Sequence, residues 1–243
     1  MQHVSSPYPS GTVVIPAASL ARYNEFWMCV ESLQVPQGTK LVAARGADIP
    51  HQLNEGIRLM KGDWVWILGD DHMFSSDMLL KLLSHEKDVV LPVVPRRDHP
   101  FYPCLLHGPV RPLMEPYLWD EMPLSGLMQL PRWDSAGQAG ALIKKHVLDQ
   151  LGDPWFEGGQ LTKGRLMEDM YFIQRLHELE IPIYVDCDLI LEHMANIRIR
   201  PRVHQGKWYV GYDSKSGHVL WESTLPPLIR RTEHVNESVK IVS

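Results

Sequence analysis

Cysteine is scarce: Cys29, Cys104 and Cys187 are the only three in 243 residues, and they lie far apart. An odd number at such spacings makes neither a disulfide framework nor a Cys-x-x-Cys metal pair, which fits a reducing compartment. No apolar run approaches the roughly 18 residues a membrane span requires, so no integral membrane association is expected. Met1 to Gly11 is polar and rich in Pro and Ser; without an apolar core it does not read as a signal peptide. Positive charge is not in excess either, with 24 Lys and Arg against 29 Asp and Glu and a net charge of −5. The whole-molecule field therefore does not draw the chain to nucleic acid or membrane, although local basic stretches remain. Internal repeats and low-complexity tracts are absent. What is left is an ordinary globular composition, 44% hydrophobic and 22% charged. The length suffices for one large α/β domain with or without a small appendage, and a cytoplasmic location is expected.

The first two-fifths of the chain alternates strand and helix signals. Thr12–Pro16 (TVVIP), Lys40–Ala44, Asp63–Leu68 (DWVWIL) and Asp88–Val94 (DVVLPVV) read as strands. Between them, Tyr23–Leu33, Ile49–Met60 and Ser75–Leu83 read as helices. Pro50 suits the first turn of its helix, and Ser75 and Ser76 are placed to cap theirs. Such alternation predicts a mainly parallel sheet covered by helices. From Pro95 to about Asp134 the pattern gives way to prolines and scattered aromatics, and loops of that length inside a compact domain are usually functional or mobile. Order returns with Ala139–Leu151, an apolar helix over Glu168–Leu179 and a strand at Ile183–Val185. The boundaries expected are one domain over 1–195 and an extension or lid over 196–243. In that extension KWYVGYDSKSGHVLW reads as a hairpin with turn chemistry at Asp213–Gly217.

The most informative stretch is Trp64–Phe74, WVWILGDDHMF. An apolar strand stops at Gly69 and delivers Asp70, Asp71 and His72. In an open α/β sheet, ligands bind beyond the carboxyl ends of the strands, so acidic groups there face a crevice. Two carboxylates and an imidazole can hold a divalent cation, and the mixed oxygen and nitrogen set suits Mn²⁺. The same residues equally describe a solvated loop with a helix cap, since short local spacings are weak signals.

Ala47–Phe74, with Asn54 and Gly56, Gly62 and Asp63, and then the strand ending in Asp70–His72, resembles the core of the GT-A glycosyltransferases (family 2-like). That resemblance implies a Rossmann-like GT-A fold, a nucleotide-diphosphate sugar donor with uridine diphosphate expected, and Mn²⁺ or Mg²⁺ as cofactor. Where the family has Asp-x-Asp, this chain places Asp70 and His72, an Asp-x-His variant similar to that of the polypeptide N-acetylgalactosaminyl transferases. Whether Asp71 or His72 is the direct ligand is left open.

Three further segments match in the same order. Ala136–Ile143 (AGQAGALI) resembles the small-residue strand along the donor-sugar pocket, with Gly140 in it, although tight packing explains small residues as well. Pro154–Phe156 and Met167–Tyr171 (MEDMY) resemble the apolar turn and the Glu-Asp element. The resemblance implies that Asp169 is the general base and Glu168 a contact to sugar or acceptor hydroxyls; in the bland alternative both carboxylates merely populate a helix's favourable first turn. Leu189–Met194 (LILEHM) puts His193 where many GT-A enzymes complete the metal shell. The implied metal set is Asp70, His72 and His193. The Glu-Asp pair speaks for inversion, whereas Asp-x-His is shared with a retaining family.

Donor contacts are expected from Pro16, Ala17, Arg45 and Asp48 at the ends of the first two strands, and from Asn54, Asp70, Asp71 and Gly140. In the tail, Arg198, Arg200, Arg202, His204 and Lys207 are placed to close over a pyrophosphate, since Arg grips phosphate bidentately; a solvated basic edge strand explains them equally. The loop 95–134 carries Arg96, Arg97, His99, Phe101, Tyr102, Tyr117, Trp119 and Trp133; its aromatics suit stacking on sugars or nucleobases, and its interleaved basic residues suit phosphate. A saccharide, a protein hydroxyl, a glycolipid or a hydroxylated nucleic-acid base all remain as acceptors. Two other functions compete. A sugar-phosphate nucleotidyltransferase would need a Gly-rich loop after the first strand, and IPAASLARYNEF lacks those glycines. A non-catalytic sugar- or partner-binding module would have no need of the acid and histidine set.

Overall fold

The computed structural model describes residues 1–17, 23–98, 100–108, 115–161, 164–195, 199–204, 207–214 and 217–222, with side chains up to residue 195 except at 159–161 and 164–166. The chain forms two compact units, Met1–Ala195 and Asn196–Ser243.

In the first unit, β1 (Thr12–Pro16), α1 (Asn24–Ser32), β2 (Lys40–Ala44), α2 (Ile49–Arg58) and β3 (Trp64–Ile67) follow one another. A two-residue strand β4 (His72–Met73) and α3 (Met78–Ser84) lead to β5 (Val89–Val93). Then come β6 (Leu105–His107), β7 (Leu127–Gln129), β8 (Ser135–Ala136), β9 (Leu142–Lys144), α4 (Lys145–Leu151) and α5 (Glu168–Glu178). The unit closes with β10 (Tyr184–Ile190) and β11 (Glu192–His193).

Seven strands make the central sheet in the order β7-β10-β5-β9-β3-β1-β2. β1 runs parallel to β2 and β3, and β10 runs parallel to β5. β9 is wedged antiparallel between β3 and β5, and β7 lies antiparallel along β10. Five strands thus point one way and two the other. The fold is α/β, and its carboxyl edge gathers the ends of β1, β2, β3, β5 and β10 with the entry to β9.

Alternation along the strands explains why both faces are covered. Val14, Val65, Ile67, Val89 and Leu91 bury against Leu53 and Ile57 of α2, Val147 and Leu148 of α4, and Phe172 and Leu176 of α5. Val13, Ile15, Trp64, Trp66 and Val90 bury on the other face with Phe26 of α1 and Leu79 and Leu82 of α3. A strand buried on both faces reads as a continuous apolar run, as β3 does. Each fully buried large side chain contributes about 1.5–3 kcal/mol, provided its polar atoms are matched. The two tryptophans of β3 meet that condition: Trp64 Nε1 donates to Pro9 O and Trp66 Nε1 to Gly140 O, both at 2.9 Å. α2 sits close to the sheet because position 56 has no side chain; a Cβ there would stand 2.3 Å from Val14 Cγ1.

Several local expectations need correction. α3 starts at Met78 rather than Ser75, and no serine caps it; Ser75 Oγ donates instead to Asp77 Oδ1 at 2.8 Å. The Pro-rich stretch after β5 is not wholly outside the sheet, since β7 lies within it and forms the sheet edge. The strand expected at Ile183–Val185 extends to Ile190. Among the described residues no helix is long and apolar enough to cross a membrane.

The second unit contains β12 (Ile199–His204), β13 (Lys207–Ser214) and β14 (Gly217–Glu222), paired antiparallel in that order. Arg198 lies outside the described residues, and so do the side chains of Arg200, Arg202, His204 and Lys207.

Candidate metal and carboxylate site

β3 ends at Ile67, and the chain turns through Asp70 and Asp71 before re-extending as β4. β4 pairs antiparallel with β11, so that His72 faces His193 in register. Their imidazoles stack at 4.3 Å with 22° between planes. Two anchors hold β11 there: Leu191 N donates to Val93 O at 2.9 Å and Met194 N to Asp71 O at 2.8 Å. Gly69 is required by the turn, since a Cβ at that position would lie 2.7 Å from His72 Nδ1.

Asp71, His72 and His193 form the one group of three potential metal ligands among the described residues, with donor atoms all within 4.8 Å of one another. His72 Nδ1 lies 3.3 Å from Gly69 O and 3.1 Å from Asp71 Oδ1. His193 Nδ1 lies 2.9 Å from Pro95 O, and its Nε2 lies 3.5 Å from Asp71 Oδ2. In both rings Nδ1 faces an oxygen acceptor, which leaves Nε2 as the nitrogen each ring can offer to a cation. Metal-binding histidines are commonly fixed in this way. His72 Nε2 is also buried without a hydrogen-bond partner, and an orphaned buried nitrogen is costly unless something occupies it. The donor set, one carboxylate and two imidazoles, fits a divalent cation of the Mn²⁺ or Zn²⁺ kind.

Burial alone pushes the Asp71 carboxyl up, but hydrogen bonds from His193 and His72 outweigh it and hold the group far below the usual carboxylate range. Arg97 Nη1 adds an ion pair to Asp71 Oδ2 at 2.9 Å.

The resemblance implies Asp70 in the metal set, and the structure differs: Asp71 joins the two histidines. An i, i+2 relation keeps two side chains on one side only in an extended strand, and the chain turns at Asp70–Asp71. Asp70 is buried beside the cluster in sequence, at 4% exposure, and is not one of the three grouped ligands.

A second carboxylate lies along the same edge. Cys104 N donates to Val94 O at 2.7 Å, and Gly137 N to Cys104 O at 2.9 Å. This row runs from Val94, next to the Pro95 carbonyl that faces His193 Nδ1, to Gly137 directly after β8. Asp169 stands at its far end, with Oδ2 4.0 Å from a Cβ built on Gly137. It occupies the first turn of α5 beside Glu168, and its Oδ1 accepts from Met170 N at 2.7 Å. Burial and the neighbouring Glu168 charge push its carboxyl up to about 6. Glu168 Oε1 accepts a long bond, 3.4 Å, from Gln138 Nε2. Burial also pushes the Cys104 thiol up to about 11, which disfavours its thiolate at neutral pH.

Other expected donor contacts divide. Pro16 and Ala17 end β1, Arg45 follows β2 and is exposed, and all three lie on the carboxyl edge. Asp48 caps α2 by accepting from His51 N at 3.0 Å. Asn54 is a clamp for the fold rather than a ligand contact. It is buried, donates to Phe156 O at 2.7 Å, and accepts from Trp155 N and Phe156 N at 3.0 Å each. Gly140 is likewise structural: φ is +79°, its N donates to Ile67 O, and a Cβ would strike Pro92 Cγ at 2.5 Å. Tyr117 is buried with its hydroxyl on Asp134, which removes it from any stacking surface. Trp119 and Trp133 are 45% and 38% exposed. His99 lies outside the described residues. Arg97, expected only as one basic residue of the acceptor-side loop, instead meets Asp71 of this cluster.

No family model matches the sequence, and no curated protein matches it. Among solved structures, the crystal structure of A197 from STIV is similar with a TM-score of 0.48 at 14% identity, covering 90% of this chain and 98% of that chain.

Proposed function

We propose that this chain is a metal-dependent glycosyltransferase of the GT-A type, moving a hexosyl group from a nucleotide-diphosphate sugar to a hydroxyl acceptor. The observation that carries the reading is the Asp71–His72–His193 set, two of them buried and His193 half-buried, with the orphaned His72 Nε2 at the carboxyl edge of the sheet. Those three residues would hold the cation. When bound, it supplies Lewis-acid neutralisation of the charge gathering on the departing diphosphate. Asp169 supports the second half of the reaction. A carboxylate with a pKa near 6 is ionised at neutral pH yet more basic than an ordinary aspartate, which suits a general base. Its Oδ2 would take the proton of the acceptor hydroxyl, and a single direct displacement assisted by that base would invert the sugar's anomeric centre. Glu168, which accepts from Gln138 Nε2, would orient a hydroxyl beside it. The acceptor classes are a saccharide, a protein hydroxyl or a modified nucleic-acid base.

The test is a panel of nucleotide sugars incubated with the full chain and Mn²⁺, reading release of nucleoside diphosphate. Metal-stimulated hydrolysis that disappears in Asp71→Asn supports the enzyme. Tight sugar-nucleotide binding without turnover would favour a binding module, and pyrophosphate release from a nucleoside triphosphate with a sugar phosphate would favour a nucleotidyltransferase.

A further inference from the structure

Arg97 reaches the metal-ligand cluster from the segment that follows β5. Its Nη1 donates to Asp71 Oδ2 at 2.9 Å, and that same oxygen lies 3.5 Å from His193 Nε2. The two partners differ sharply in exposure, with the Arg97 side chain 43% and the Asp71 side chain 8% accessible. The guanidinium is therefore the solvent-facing partner of this pair and Asp71 the withdrawn one.

We propose that Arg97 couples cation binding to diphosphate binding at this site, sharing Asp71 Oδ2 with the cation and turning to the diphosphate once both are bound. The inference rests on the metal and nucleotide-sugar reading given above. Its basis is charge. Imidazoles that ligate a cation do so as neutral rings, and Arg97 offsets Asp71, so in the ligating form these four groups carry no net charge. A divalent cation would make them doubly positive in a pocket largely withdrawn from water, where uncompensated charge is expensive. Asp70, buried next in sequence, reduces that excess without reversing it. A diphosphate supplies the missing negative charge, and a guanidinium is the side chain best shaped to grip phosphate oxygens in pairs. Because Arg97 is the exposed partner, it can turn outward without breaking the buried packing of Asp71, His72 and His193.

Linkage then requires each ligand to tighten the other. The experiment compares the full-length wild-type chain with Arg97→Gln and Arg97→Ala, titrating Mn²⁺ by electron paramagnetic resonance, alone and with saturating uridine diphosphate. Wild type should bind Mn²⁺ weakly alone and much more tightly with uridine diphosphate. Both variants should bind Mn²⁺ alone more tightly than wild type, by roughly tenfold or more, and lose most of the tightening by the nucleotide. Mn²⁺ affinity that is unchanged or weaker in the variants without nucleotide would overturn the coupling while leaving the metal site standing. Absence of Mn²⁺ binding by wild type under both conditions would overturn the metal reading itself, and the coupling with it.

Discussion

Replacing Asp169 with Asn should make the protein more stable while disabling it. The carboxyl titrates near 6 instead of the ordinary 3.8, chiefly through burial and secondly through Glu168. Between those two values the folded chain holds a proton that the unfolded chain has released. Stability therefore falls as pH rises from about 4 to about 6 and stays low above that. At neutral pH the ionised group costs the fold about 3 kcal/mol at most, because the side chain keeps an edge to solvent. Asn is nearly isosteric, carries no charge, and can still accept the bond from Met170 N through its amide oxygen. Asp169→Asn should then exceed wild type by about 1–3 kcal/mol at pH 7.5, with the difference vanishing near pH 4. For a unit of this size that corresponds to about 2–4 °C in melting temperature per kcal/mol. Urea unfolding at the two pH values measures the gap. On the proposed reaction, turnover should fall roughly 10²–10⁴-fold with donor binding retained, and wild-type kcat should rise through an apparent pKa near 6. A variant less stable than wild type at pH 7.5, or a gap of equal size at pH 4, would refute the argument from burial.

Other outcomes follow from the same geometry. Asp71→Asn should abolish Mn²⁺ binding and transfer with an unchanged circular dichroism spectrum; full activity of this variant in the presence of chelator would end the metal reading. Asn54→Ala strips the partner from two backbone N–H groups and one carbonyl, so a loss of about 2–4 kcal/mol in urea unfolding is expected. Donor affinity of the folded Asn54→Ala variant should be normal, and a specific loss of nucleotide binding without destabilisation would return Asn54 to the ligand site.

Much of the architecture was legible along the chain because its signals are local. TVVIP, DWVWIL and DVVLPVV are apolar runs short enough to be buried strands, and the intervening segments carry helical spacing, so β1, β3, β5 and the helices between them could be placed within a few residues. The Glu168–Asp169 pair at a helix start and the acidic turn after β3 were equally visible, since each depends on immediate neighbours. Sequence could not decide which aspartate joins His72, because the answer depends on a turn at Asp70–Asp71 and on a two-residue ladder between segments about 120 positions apart. Nor could it tell that Asn54 and Gly140 serve the fold, since their partners, Phe156, Ile67 and Pro92, are adjacent only after folding. Arg97 shows the same limit: an Arg-Arg pair after a strand is a surface feature until Asp71 is brought within hydrogen-bonding reach. Local pattern determined the strands, the helices and the edge of the sheet where chemistry would gather. Long-range register and close packing decided which side chains meet there, because contacts between distant segments leave no period in the sequence.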